Sequence, residues 1–139
     1  MITFMIPYPP KFTHEYGLNP YYSGLHWSVR KRRADAWHWT VRAALQEHGI
    51  RPKIFKKPVK ITFYWDDRLD IDNHAIAAKM TVDALKGYLL EDDSKKHLRA
   101  VEHQFWNGGY IKVEIEEVRA HDEPSSIGKP GNPLQSAGC

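Results

Sequence analysis

The chain has 139 residues, a single cysteine and a net charge of +3, with 42% hydrophobic and 27% charged residues. That length predicts one domain with a buried core, and no apolar run approaches the roughly 20 residues of a membrane span. Cys139 has no partner for an internal disulfide, and Met1 to Pro10 lacks the basic start and long apolar core of a signal peptide, so the cytoplasm is the expected compartment.

Ile2 to Ile6 reads as a first strand, ended by Pro7, Pro9 and Pro10. Residues 11–27 read as irregular and rich in aromatics, among them Phe12, Tyr16, Tyr21, Tyr22 and Trp27. Core or loop anchoring is the plainer role for these rings, and stacking on unpaired bases is the rival. A helix is expected from Ser28 as N-cap, with Ala34, Trp37, Val41, Ala44, Leu45 and His48 at helical spacing and Gly49 closing it. Trp39 falls off the centre of that stripe, so packing or an interface is its expected use.

Lys60 to Trp65 alternates, with Ile61, Phe63 and Trp65 on one side, as a half-buried strand does. His74 to Lys86 reads as a second helix stopped by Gly87. Leu98 to Trp106 and Tyr110 to Val118 read as strands joined into a hairpin by Asn107-Gly108-Gly109. Ile111, Val113 and Ile115 are assigned to the core. From Ala120 the chain is rich in Pro, Gly and Ser, and the composition predicts a disordered tail over 120–139 behind a domain of residues 1–119. The order β-α-β-α-β-β predicts an α/β fold: a small mixed sheet with helices packed against it.

Chemistry concentrates where the second strand meets the second helix, in Asp70-Ile71-Asp72-Asn73. Carboxylates crowded together repel unless a proton or cation relieves them, and a hard divalent cation is their natural tenant. Taken alone, Asp72 also reads as a helix cap, Asp70 as a turn residue, and Asp66 and Asp67 as more of the same acidic loop. The helix that follows is apolar apart from Lys79 and Asp83, four apart on one face. Asp72 lies seven residues before Lys79, near that face. A surface ion pair is the simpler account of Lys79 and Asp83, and an acidic turn that of Glu91, Asp92 and Asp93. Arg30, Lys31, Arg32 and Arg33 oppose the macrodipole of the first helix, which suits a nearby phosphate; a solvated basic face is the alternative. The eight histidines show no zinc-ligand spacing.

In order and spacing, these features resemble the RusA family of Holliday junction resolvases, in its phage and prophage type. The first strand running into Pro7-Tyr8-Pro9-Pro10 is similar to that family's opening. Leu18-Asn19-Pro20-Tyr21-Tyr22, then His26-Trp27 and the basic run, resembles its phage members. Asp70-Ile71-Asp72-Asn73 matches its D-[LI]-D-N signature, Lys79 with Asp83-Ala84-Leu85 its K-x-x-x-D-A-L helix, and Leu90-Glu91-Asp92-Asp93 its acidic pair. The resemblance spans residues 2–118. One departure is that the family lysine follows the second aspartate by four residues, whereas here the interval is seven; both return to the same helix face.

The resemblance implies a homodimeric, magnesium-dependent endonuclease that resolves four-way or branched DNA by paired symmetric nicks, in recombination and repair. It implies Asp70, Asp72 and Asp93 as ligands of one or two Mg²⁺ ions, Lys79 as a catalytic group, and Asp93 rather than Asp92 as the acidic partner. Arg30, Lys31, Arg32 and Arg33 are the expected DNA contacts. A DNA-binding module without catalysis is the principal rival. A D-x-D nucleotide-sugar transferase needs a larger nucleotide-binding domain and a Gly-rich loop that the chain lacks.

Overall fold

The computed structural model describes residues 1–18 and 23–118; Tyr21, Tyr22 and the expected tail from residue 120 lie outside them. The elements run β1 (Ile2–Ile6), α1 (Phe12–Glu15), α2 (Trp27–Glu47), β2 (Val59–Trp65), a 3₁₀ turn (Ile71–His74), α3 (Ala75–Leu85), β3 (Leu98–Phe105) and β4 (Ile111–Glu117). They form a small α/β domain around one four-stranded mixed sheet. No described helix is long and apolar enough to cross a membrane.

The sheet order is β1-β4-β2-β3. β4 pairs antiparallel with both β1 and β2, while β3 runs parallel to β2 at the edge. The expected hairpin between β3 and β4 is therefore absent, because β2 lies between them. Residues 106–110 cross the end of β2, a span of about 10 Å for two strand spacings. The Trp106 amide donates to the Trp65 carbonyl at 3.0 Å, and the Gly109 amide donates to Asp66 Oδ2 at 2.8 Å. Trp106 folds back over the turn and donates Nε1–H to the Tyr110 carbonyl at 2.8 Å. A Cβ at Gly108 would overlap its ring.

Alternation places Phe4, Ile6, Ile61, Phe63, Trp65, Ile111, Val113 and Ile115 in one buried layer. The register sets Ile61 against Ile115 and Phe63 against Val113. Trp37, Val41, Ala44 and Leu45 of α2 and Ala77, Ala78, Val82 and Leu85 of α3 complete the core. His48, expected on that stripe, is exposed, as is Trp39. Trp37 Nε1 donates to Thr81 Oγ1 at 2.9 Å, which satisfies two buried polar groups between the helices. Arg42 donates Nε–H to the Ala84 carbonyl at 2.7 Å and Nη2–H to the Lys86 carbonyl at 3.2 Å, closing the C-terminal end of α3.

Two boundaries differ from expectation. α2 starts at Trp27 with His26 as N-cap, whose ring accepts from the Ser28 amide at 3.2 Å. Ser28 is already inside the helix. The aromatic segment contains the short helix α1, where Phe12 and Tyr16 are buried against Trp37. Those rings are core anchors. Trp27 is exposed.

Candidate active site

β2 carries the chain up to the aspartates, and α3 runs back along the sheet before β3 returns parallel to β2. In this β-α-β unit the end of β2 and the start of α3 lie at the same end of the sheet. Between α3 and edge strand β3 is a cleft of about 260 Å³ lined by Ala75, Ala78, Lys79, Asp93, Val101 and His103, among others. Its floor is one face of β3, where Val101 is 42% exposed because no further strand or helix covers it.

Lys79 and Asp93 meet at this cleft. Nζ of Lys79 donates to Asp93 Oδ2 at 2.9 Å and lies 3.3 Å from Asp83 Oδ1. Lys86 bridges the same two carboxylates, at 3.2 Å from each. The hydrogen bond from Lys79, then that from Lys86, holds the Asp93 carboxyl down at about 2. Asp93, ahead of Asp83, raises the Lys79 ammonium above its ordinary value. Lys79 thus stays cationic throughout the neutral range. Asp92 is exposed and makes no ion pair with either lysine.

The four upstream aspartates divide into two pairs. Asp66 and Asp67 hold the fold. Asp66 Oδ2 takes the Gly109 amide, as described above. Asp67 accepts the Leu69 amide at 2.9 Å, the Tyr8 hydroxyl at 2.8 Å, and His74 Nε2–H at 2.9 and 3.0 Å on its two oxygens. Burial would raise the Asp67 pKa, but the bonds from His74, Tyr8 and Leu69 outweigh it and hold the carboxyl below its usual range. Burial pushes the Tyr8 phenol up, so it remains a hydroxyl donor. His74 is wholly buried, stacks on Trp65 at 4.2 Å, and sets Nδ1 3.1 Å from the Ile71 carbonyl. Both ring nitrogens face acceptors, the Ile71 carbonyl and the Asp67 carboxylate.

Asp70 and Asp72, by contrast, are exposed. Asp70 begins the 3₁₀ turn, yet its side chain makes no capping hydrogen bond, and the residue before α3 is His74. The cap reading of Asp72 is not realised, while Asp70 is a turn residue through its backbone alone, its carbonyl accepting the Asn73 amide at 3.0 Å. The Asn73 side chain does take a structural part, accepting the Leu18 amide at 2.7 Å. Asp70 and Asp72 form no ion pair with Lys79 or Lys86, and among the described residues no group of three or more His, Cys, Asp or Glu side chains is gathered to hold a metal. Lys79 and Asp93 are thus brought together, with Asp70 and Asp72 at the head of the same helix.

The basic run lies in the first turns of α2, as expected, but its members are unequal. Lys31 pairs with Asp35 at 2.9 Å, and Arg33 donates to the Glu15 carbonyl at 3.2 Å, tying α1 to α2. Arg32 is exposed, and Arg30 is exposed with Leu25 and Met80 nearby in a small surface recess.

Sequence reasoning missed two histidines. His74 anchors the aspartate loop from beneath. His103 lines the cleft, and its Nδ1 accepts from Trp65 Nε1–H at 3.0 Å. That bond puts the neutral ring's proton on Nε2. Burial, then the nearby His74, lowers its pKa. The only signal for either was register: His103 pairs with Phe63 across the parallel ladder and so shares its face. No protein-family model matches this chain, and neither does any curated protein sequence.

Proposed function

We propose that the chain is a RusA-like, metal-dependent endonuclease that cuts four-way or branched DNA, working as a homodimer in the cytosol of a bacterial or phage-infected cell. The observation that carries this reading is the contact between Lys79 and Asp93, fourteen residues apart in the chain and joined at 2.9 Å at the mouth of a cleft. It brings together two of the residues that the resemblance implies for the site, the helix lysine and the second residue of the acidic pair. Asp72 lies in the 3₁₀ turn Ile71–His74, outside the α-helix that carries Lys79, so the two do not share a face of one continuous helix as the spacing predicted.

The donor set suits a hard divalent cation. Asp70, Asp72 and Asp93 offer oxygen only, and Asp70 and Asp72 are exposed with no ion-pair partner among the described residues. Asp93 is the exception, since two ammonium groups already neutralise it. These three residues would hold Mg²⁺, which when bound supplies charge neutralisation at phosphate and a water of lowered pKa. Lys79 binds and orients an anionic phosphate oxygen, kept protonated by Asp83 and Asp93. Nε2–H of His103 is a second donor to that phosphate, its proton held on Nε2 in the neutral ring by the Trp65 bond to Nδ1. A two-fold dimer would set two such sites on the two opposed strands of a junction. Arg30 and Arg32 serve as phosphate contacts beside the site.

The test is incubation with a synthetic four-way junction with and without Mg²⁺. Paired, symmetric nicks that require the metal are expected. Binding without nicks under every divalent-metal condition would leave only a binding module. His103→Phe keeps the ring stack and removes the donor, so cleavage should fall about 10- to 100-fold, the worth of a hydrogen bond to a charged group. His103→Gln should restore much of the loss. In nitrogen NMR the His103 ring should titrate below an ordinary imidazole, and its neutral form should be the Nε2–H tautomer. A ring that protonates normally would contradict the assignment.

A further inference from the structure

Apart from Lys11, which is exposed in the loop before α1 and forms no ion pair among the described residues, the described lysines fall into two sets. Lys31, Lys60, Lys79, Lys86 and Lys112 each pair with a carboxylate. Lys53, Lys56, Lys57, Lys95 and Lys96, with Arg51, form no ion pair among the described residues, and all six are exposed. The topology brings this second set to one place. Residues 51–58 lead into β2 and residues 94–97 lead into β3; because the two strands are parallel, both segments join the sheet at the same end. The Val59 amide donates to the His97 carbonyl at 2.9 Å and ties the two segments together.

The first segment is held firmly. The Lys53 amide donates to the Tyr88 carbonyl at 2.8 Å and the Phe55 amide to the Leu89 carbonyl at 2.9 Å. Pro52 and Pro58 stiffen its ends. Ile2, Ile54 and Phe55 wall a groove of about 560 Å³, with Lys53, Lys56 and Lys57 along it. Glu117 also lines this groove, and Glu116 precedes it on β4; together they offset part of the charge. Cations gathered on a rigid ledge incur a repulsion that Glu117 relieves only in part and a polyanion relieves further. The row is extended and its charges are separate, which suits a phosphodiester backbone rather than a compact anion.

We propose that this ledge is a second nucleic-acid contact, gripping the backbone of a duplex arm away from the aspartates. It rests on the nuclease reading only for the identity of the arm. β2 separates ledge from aspartate loop by about 20 Å for its seven residues, the rise of about six base pairs. One duplex can therefore span both, with the ledge setting how the branch point is presented to the cleft.

The experiment compares wild type with a Lys53→Ala/Lys56→Ala/Lys57→Ala variant and a Lys95→Ala/Lys96→Ala variant. Binding of a labelled four-way junction is followed by fluorescence anisotropy from 50 to 200 mM salt, with Ca²⁺ in place of Mg²⁺. All the changed side chains are exposed, so the melting temperature should not move. For the triple variant, the slope of log affinity against log salt should become shallower by about three, and affinity should drop about tenfold or more at the lower salt. An unchanged slope and affinity would overturn the ledge and leave the nuclease reading intact. A wild type that binds with the steep slope but never nicks DNA would overturn the nuclease reading and leave the ledge standing.

Discussion

Asp70→Asn is expected to lower junction cleavage by about 10³-fold, roughly 4 kcal/mol of transition-state stabilisation. Junction affinity should stay within about twofold of wild type. The substitution removes one negative charge and keeps the shape. It should leave the fold alone, because the Asp70 side chain caps nothing and only its carbonyl, accepting the Asn73 amide at 3.0 Å, holds the turn. Asp67→Asn has the opposite signature. It loosens a buried hydrogen-bonded group and should depress stability first and cleavage through it. Gel assays of nicking beside anisotropy and melting curves separate the two. Full cleavage by Asp70→Asn would remove Asp70 from the site.

His74→Ala carries the largest expected stability loss. It strips the buried partner from Asp67, whose side chain is 7% exposed, and it unstacks Trp65. Breaking a buried pair from one side costs about 3–5 kcal/mol, readable as a shift of the urea midpoint. A loss below about 1 kcal/mol would refute the clasp. The acid limb gives a second check. The folded pKa of Asp67 is depressed, so its contribution is fully present above the ordinary carboxylate value of about 3.9 and is lost as pH falls through the lower folded value. Wild type should lose stability in that window, and Asp67→Asn should lack this component of the loss.

The elements that sequence made legible are those whose pattern is local. The alternation of β2 and β4 and the spacing of Trp37, Val41, Ala44 and Leu45 describe single elements against a single core. Gly49 closes α2 with a φ of 69°, a left-handed value that glycine adopts freely. Pairing between strands is a different matter. Asn107-Gly108-Gly109 is a turn by local chemistry, but a turn does not state what lies between its arms. β4 has an apolar face that can be buried between two neighbours, whereas the exposed residues of β3 suit only an edge. β2, buried at nearly every position, takes the place between them. The meeting of Lys79 with Asp83 was legible from helical spacing, whereas the approach of Asp93 to Lys79 was not. Sequence could not separate structural from exposed aspartates, because the partners that claim Asp66 and Asp67 are Gly109, Tyr8 and His74, two of them distant in the chain.

The crossing of residues 106–110 over β2 has a consequence for how the protein is made. The chain's last described strand is not an edge but an interior member of the sheet, with β1 on one side and β2 on the other. β2, α3 and β3 can assemble on the ribosome as a contiguous unit, since their pairing lies within residues 59–105. β1 cannot join them, because its place is defined by a strand more than a hundred residues downstream. Non-local pairing of this kind slows folding. Until Glu117 has emerged, the outer side of β2 is an open edge and β1 has α2 but no strand to pair with. The nascent domain therefore carries an unpaired, apolar strand through most of its synthesis, and closes in one late step when β4 slides between the two halves.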